Sequence, residues 1–490
     1  MLSHRKWYNK VKKHGRDNPA RRMVTEAIVM SVVAAFAVPH PPIILPEIGR
    51  GEERKIQKTI DAYRAAMKLA AGYHPETIVL TSPHTVMYAD YFHVSPGGSA
   101  AGNFAEFGAP QVHVEVQYDT EFVSTLEACC RKAGVPAGIM GERNKKLDHA
   151  TMVPLHFFSE SGSSFRLVRI GLSGLSPQLH YRLGQCIAAT AEKLKRRVVF
   201  IASGDLSHKL RDDGPYGFAP EGPEFDRITT EALGKGDFLK LLELDQDFCE
   251  SAAECGLRSF WIMSGALDRK AIKSRLLSYE GPFGVGYGVA AFRVTGVDES
   301  RNFGDQFETD KEKELAGRRE AEDPYVRLAR RSLETYVKTG RYASLPENLP
   351  EEMKHTRAGA FVSLKKDGML RGCVGTIEPT QSCVAEEILR NAVSAAVHDP
   401  RFDPVKPDEL PQLIYSVDVL GKPEPVESSS QLNPKKYGVI VRSGGRCGLL
   451  LPDLAGVDTV KEQIAIAREK AGIGKDEAVS LERFQVVRHK

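Results

Sequence analysis

The sequence predicts two domains. One is an α/β domain over residues 31–297, with a central, largely parallel sheet and helices on both faces; the other is an α+β domain over residues 323–490. Three observations carry this reading. The chain has 490 residues, more than one hydrophobic core ordinarily organises. Three apolar runs, Val32–Val38, Thr77–Thr81 and Val198–Ala202, end abruptly in small or polar residues, the pattern of strands buried on both faces. Between the two regions, residues 298–322 are densely charged, with Asp298, Glu299, Arg301, Asp305, Glu308, Asp310 and the run 311–314. That composition reads as a solvated linker.

Composition narrows the function classes. Hydrophobic residues make up 42% of the chain and charged residues 27%, as in a globular protein that folds in water. The formal net charge of +3 gives no general electrostatic case for nucleic acid or for an anionic membrane. No apolar segment is long enough to span a bilayer. The eight cysteines show neither a CxxC pair nor a zinc-ribbon spacing, which argues for a reducing, cytoplasmic setting rather than a disulfide framework. Residues 1–30 are basic and are expected to be a disordered extension, with Met30 a candidate start. The apolar stretch that follows runs straight into Pro39-His40 without a small-residue cleavage site, so it reads as the first strand rather than a secretory leader.

In chain order, the strand Val32–Val38 leads to His40. Residues 51–73 place Ile56, Ile60, Tyr63 and Met67 at helical spacing. The strand Thr77–Thr81 then leads to His84, which makes a βαβ unit and a parallel pair. Residues 94–111, rich in Gly, Ser, Ala and Pro, read as a loop, and Val112–Val116 alternates as a strand. A helix over 121–133, a helical stretch opening near His149, a strand over 165–170 and a helix over 177–195 lead to Val198. The punctuated segment 211–224 reads as a lid or pocket wall. Helical stretches over 225–244 and 258–267 and a strand over 285–294 complete this domain. The second domain has expected helices over 324–339, 382–397 and 459–471. Strands near 358–364, 370–376, 414–420, 438–442 and 447–451 are joined by hairpin-like gaps, which argues for an antiparallel sheet.

The chemistry centres on the strand ends. In an open α/β sheet ligands bind at the carboxyl ends of strands, and His40, His84 and His208 all sit at such positions. Two imidazoles and a carboxylate can hold Fe(II) on one face and leave open positions. A histidine that does not ligate can act as a base near neutral pH. Glu254 and Cys255 lie side by side before the helix over 258–267. A carboxylate there suits Fe(II) oxygen chemistry, and a thiolate suits a softer metal or a redox role. The bland alternative makes Glu254 a helix-start acid and Cys255 a core residue. In the second domain, Leu370-Arg371-Gly372-Cys373-Val374-Gly375-Thr376 places Arg371 where it could raise the thiolate fraction of Cys373, with His398 and Asp399 as further candidates. The bland alternative there is a buried, inert thiol.

Four dispersed motifs carry a resemblance. Pro39-His40-Pro41-Pro42, Ser82-Pro83-His84, Asp148-His149-Ala150-Thr151 with the residues through Leu155, and Ser203-Gly204-Asp205-Leu206-Ser207-His208 resemble the class III extradiol ring-cleaving dioxygenases (LigB-like) and the related Memo proteins. The resemblance implies a metal held by His40 and His84, most readily Fe(II), with another divalent ion as the alternative. It also implies His208 as acid/base, His149 in the substrate pocket, Asp205 and Ser207 beside the substrate, and an aromatic diol-like small molecule as substrate. The third ligand matches a glutamate in the dioxygenases and a cysteine in the Memo proteins. The sequence offers both, Glu254 and Cys255, with Glu254 slightly preferred. Over residues 323–490 the Cys373 motif, Asp399-Pro400-Arg401-Phe402 and Gly448–Pro452 resemble the AMMECR-type domain. The fusion itself resembles the AmmeMemoRadiSam family, which implies a radical SAM protein partner; a homo-oligomer is the further expectation. The three functions carried forward are an Fe(II) dioxygenase-like enzyme, a metal-binding redox or modification protein, and a non-catalytic metal-binding scaffold.

Overall fold

The computed structural model describes residues 31–143, 146–454 and 456–490; the basic extension 1–30 lies outside them. The chain divides into two compact units, residues 1–308 and 309–490.

The first unit is built on a six-stranded sheet. Its spatial order is Arg166–Gly171, Thr77–Ser82, Val198–Ser203, Val32–Val38, Tyr287–Val297, Lys270–Glu280. The first four strands run parallel, and the last two pair antiparallel. Alternate residues of the central strands feed two separate cores. Ala35, Ala37, Phe200 and Ala202 pack into one, with the helices Thr120–Ala133, Pro177–Leu194 and Leu257–Ala266. Ala34, Phe36, Val38, Val199 and Ile201 pack into the other, with Gln57–Gly72 and His149–Ser159. The period of two along a strand therefore explains why these runs are apolar throughout: both faces are buried. The carboxyl ends of Val32–Val38, Thr77–Ser82 and Val198–Ser203 lie side by side, which is what brings their histidines together.

Three expectations are corrected. The loop expected over 94–111 is a hairpin, Ser99–Phe104 with Ala109–Gln117. Its small residues are a packing requirement, since a Cβ on Gly102 would meet the Leu147 carbonyl oxygen at 2.9 Å and the Met152 sulfur at 2.6 Å. The strand Lys270–Glu280 was not expected. As the sheet's edge it is only partly buried and carries lysines and an arginine, a common protection of an edge that also hides its alternation. The charged stretch expected as a linker is helical over Phe303–Ala321, where Phe303 and Phe307 pack against the first core.

The second unit has two four-stranded antiparallel sheets. Met369–Gly375, Ala360–Lys366, Ile414–Leu420 and Val486–His489 form one, covered by the helices Pro324–Thr339 and Val384–Val397. Glu424–Val426, Ser480–Phe484, Gly438–Ser443 and Arg446–Leu450 form the other, with the helix Val460–Lys470. The strands Glu424–Val426, Ser480–Phe484 and Val486–His489 were not foreseen. Among the described residues no helix is long and apolar enough to cross a membrane.

Candidate metal centre

His40 follows the strand Val32–Val38 and is 2% exposed. Its backbone N–H donates to Asp205 Oδ1 at 2.8 Å, and its ring Nδ1 lies 3.0 Å from Ser203 Oγ. Ser203 Oγ donates its own proton to the Ala150 carbonyl at 2.7 Å. The hydroxyl can then only accept from the ring, which assigns the proton to Nδ1 and leaves the Nε2 lone pair free. That Nε2 faces Cys255 Sγ at 3.8 Å.

His84 follows the strand Thr77–Ser82, and its backbone N–H donates to Ser82 Oγ. Ser82 in turn donates to Asp148 at 2.6 Å. Asp148 also caps the helix His149–Ser159 through the Thr151 N–H at 2.9 Å, so one carboxylate ties the His84 loop to the helix that starts with His149. Ring centroids of His40 and His84 are 4.9 Å apart, and those of His84 and His149 4.2 Å. Cys255 reaches the same point from the other side. A Cβ on Gly204 would lie 2.1 Å from Gly256 Cα, so glycine at both positions lets the two loops touch backbone to backbone. The Asp205 N–H then donates to Cys255 Sγ at 3.3 Å. The donor atoms of His40, His84 and Cys255 all lie within 4.8 Å of one another.

Glu254 does not join them. Its carboxylate turns to the start of the helix Leu257–Ala266 and accepts the Leu257 N–H at 2.6 Å. The preference for Glu254 in the ligand set is therefore corrected: neighbours on one backbone point apart here, and the thiol faces the imidazoles. The placing of Ser207 beside the substrate is corrected as well. Asp205 Oδ1 accepts the His40 backbone N–H. The fully buried Ser207 hydroxyl donates to the Ala252 carbonyl at 2.9 Å, while its N–H goes to Asp226 at 2.7 Å. Ser207 thus holds the loop that carries His208, and Asp205 ties that loop to His40.

His208 and His149 remain at the edge of the cluster. His208 Nε2 is buried without a hydrogen-bond partner, and its ring stacks on Tyr216 at 5.0 Å. The Phe107 ring stands 5.3 Å from His149. Burial first, then the neighbouring His84, pushes both His149 and His208 down to about 4. Burial also lowers His40 and His84. The cluster is thus four neutral imidazoles at pH 7, the form in which histidine offers lone pairs to a cation. Burial pushes Asp205 and Asp226 up to about 7. Sequence reasoning gave no role to Ser203, Asp148, Phe107, Tyr216 or Asp226. Asp148 could have been read as an N-cap three residues before Thr151; the rest depend on contacts between distant segments.

In the second unit Cys373 is half-buried. Two expectations fail there. Arg371 is engaged by Glu409 at 2.9 and 3.0 Å, and the guanidinium acting on the Cys373 thiol is Arg401. His398 is exposed; its neighbour Asp399 is the residue that reaches Cys373, accepting its backbone N–H at 2.9 Å.

Residues 34–290 match the family described as the catalytic LigB subunit of aromatic ring-opening dioxygenase, more than half of the chain. The chain belongs to the LigB family. Residues 326–489 match the AMMECR1 family, so the protein is a LigB domain fused to an AMMECR1 domain. A Clostridium acetobutylicum protein, CA_C1420, is 42% identical over 94% of this chain and 100% of its own length. A Thermotoga maritima protein is 55% identical over 34% of this chain and 98% of its own length. Among solved structures, the uncharacterized protein PH0010 of Pyrococcus horikoshii has 34% identity and TM-score 0.32, covering 34% of this chain and 88% of that one. The uncharacterized protein JW3007 of Escherichia coli has 16% identity and TM-score 0.36, covering 53% and 99%.

Proposed function

We propose that the LigB domain is a metal-dependent redox enzyme whose ion is held by His40 Nε2, His84 and Cys255 Sγ, with Fe(II) the first candidate and other divalent ions next. The supporting observation is the convergence of these three donor atoms within 4.8 Å, with the adjacent carboxylate of Glu254 turned away. Two neutral imidazoles and a thiol are a borderline-to-soft donor set that suits a first-row transition ion. Such an ion supplies Lewis acidity and one-electron chemistry when bound. The chain's own residues do the remaining work. Ser203 fixes the His40 tautomer, and Asp205 holds the His40 loop. His208, neutral and with a free buried Nε2, accepts a proton from a small substrate, and His149 bonds to that substrate's polar edge.

A second reading is ring cleavage of a catechol-like substrate. The two free imidazoles and the flanking Phe107 and Tyr216 rings favour it. Anaerobic metal loading followed by oxygen uptake with a catechol panel separates the two. Uptake with ring-opened product selects cleavage, whereas a metal-loaded protein inert across the panel leaves the redox reading. Loss of metal from the Glu254→Ala variant, with full retention in Cys255→Ala, would sink the ligand assignment.

A further inference from the structure

The AMMECR1 domain carries a second group of reactive side chains, around Cys373. In the antiparallel sheet, Cys373 stands directly opposite Ser363, and Ser363 opposite Ser416. Their strand neighbours Gly372, Val362, Leu364 and Val417 face the other way, into the core under the helices. The row Cys373–Ser363–Ser416 therefore lies on the sheet face away from those helices. The Ser363 hydroxyl donates to Cys373 Sγ at 3.2 Å. The thiol's partner is thus a hydroxyl rather than a second thiol, which suits addition chemistry better than disulfide exchange.

Charged groups of both signs lie near this thiol: Asp418 raises it, and Arg401 and Lys470 lower it. Asp399 accepts the Cys373 N–H at 2.9 Å and pairs with Arg401 at 2.7 Å, and Arg401 Nη2 reaches the Cys373 carbonyl at 3.3 Å. The ion pair grips the Cys373 peptide from both ends and stations a guanidinium beside it. Lys470, the last residue of the helix Val460–Lys470, acts on the same thiol. Arg371 is the extra residue of a β-bulge two positions before Cys373, and bulges often re-aim a side chain. Its guanidinium and that of Arg401 flank one ring, Phe402, at 6.0 and 5.4 Å. Arg371 Nη1 is buried with no hydrogen-bond partner. Glu409 pairs with the Nε and Nη2 side of this guanidinium, so the unmet need is at Nη1 alone; a buried donor without an acceptor is costly, and an anion brought by a ligand would supply one.

We propose that Cys373 is the nucleophile of a second reaction centre, which accepts an acyl group from a phosphate-bearing donor, an acyl phosphate or an acyl thioester of a phosphorylated carrier. The sulfur's electron pair forms the S–C bond to the acyl carbon, and the bond from that carbon to the leaving oxygen or sulfur breaks. The leaving group departs with that pair and takes up the thiol proton. Arg401, Arg371 and Lys470 hold the donor's phosphate, and Ser363 orients the sulfur.

The test uses the full chain with acetyl phosphate in one arm and acetyl coenzyme A in the other, followed by peptide mapping. The proposal expects a hydroxylamine-labile acetyl group on Cys373, formed at least about tenfold faster than on Cys447, the other half-buried thiol of this domain. The arm that labels identifies the carrier. Lys470→Ala should slow labelling about tenfold, as loss of one charged contact predicts. Because the acetyl group is neutral, iodoacetate and iodoacetamide rates at Cys373 give a second reading: the anionic reagent should be favoured in the wild type and lose that advantage in Lys470→Ala. Equal labelling of Cys373 and Cys447, or no labelling in either arm, overturns the proposal, as does an unchanged rate and reagent preference in Lys470→Ala. Labelling should be unaffected by His40→Ala, which keeps this result independent of the metal centre.

Discussion

Cys255 and Cys373 are both half-buried thiols, but only the second has cationic side chains acting on it. At Cys255 burial raises the thiol well above its ordinary value, and the nearby charged side chains, Asp205 and Glu254, are acidic and raise it further. At Cys373 burial raises the thiol and Asp418 raises it further, while Ser363, Arg401 and Lys470 pull it part of the way back down. The first pocket supplies neutral rings and negative charge; what would complete it is a cation. The second supplies positive charge through the protein itself; what would complete it is an anion. The same functional group therefore points to different ligands, and the decisive information lies in the neighbours.

The strongest way to break this contrast is at the metal centre. Cys255→Ala should weaken ion binding by more than about 100-fold, beyond the 10–100-fold typical of residues that only support a ligand. Glu254→Ala should retain the metal. Chelator competition with Fe(II)- or Zn(II)-loaded protein measures both. Zinc at about 100 times its dissociation constant should also stabilise the wild type by about 2.7 kcal/mol, and the same concentration should stabilise Cys255→Ala by no more than about 0.4 kcal/mol.

That choice between adjacent residues is where the sequence stopped being legible. His40, His84 and His208 were visible because each follows a buried strand, and parallel strands align their carboxyl ends. Glu254 and Cys255 lie in a loop, where no periodicity says which side chain faces the pocket; a single hydrogen bond to the Leu257 N–H turns the carboxylate away. The role of Ser207 was misplaced for a related reason. Within one motif, sequence does not separate a residue that touches a ligand from one that holds the loop, and here the Ala252 carbonyl takes the Ser207 hydroxyl. The hairpin over 99–117 escaped because its strand is made of the residues that usually make loops, selected here by close contact with Leu147. In the second domain the helices and inner strands were legible from their apolar spacing, whereas the row Cys373–Ser363–Ser416 exists only through register between strands distant in sequence.

The neutral histidines make the next effect. His149 and His208 titrate at about 4 in the folded, metal-free protein, below the ordinary value near 6.5 of an unfolded chain. As pH falls through 6.5 the unfolded state takes up protons first, so the contribution these residues make above pH 6.5 is lost progressively down to about 4. Asp205 and Asp226, raised to about 7 by burial, act in the opposite sense between about 4 and 7. The informative quantity is therefore the difference between wild type and a His149→Gln/His208→Gln variant in urea unfolding. The variant should show a shallower fall from pH 7 to pH 5, by about 2 kcal/mol after allowance for partial exposure. Parallel curves would mean that neither ring is held neutral by the fold.

Ser203 should have a smaller effect. Its hydroxyl accepts from His40 Nδ1 and donates to the Ala150 carbonyl, so Ser203→Ala releases the His40 tautomer without removing a ligand. Metal affinity should fall about tenfold, the lower end for such supporting contacts. A fall as large as that of Cys255→Ala would show that the serine does more than orient the ring.

The smallest effect belongs to Glu254, and it completes the contrast between the neighbours. The carboxylate accepts the Leu257 N–H at 2.6 Å at the start of an otherwise uncapped helix, where a negative group also meets the positive end of the helix dipole. Glu254→Ala should cost about 1 kcal/mol of stability, the usual price of a lost helix-start acceptor, and Glu254→Gln, which keeps an acceptor oxygen, should cost only about half of that. Neither should change metal affinity beyond about twofold, a difference worth less than about 0.5 kcal/mol. Chemical denaturation and chelator competition on the same two variants read both quantities. A stability loss without metal loss fits a capping acid beside a ligating thiol. Metal loss that tracks the charge, severe in both variants alike, would instead return the carboxylate to the coordination sphere and remove the contrast between the neighbours.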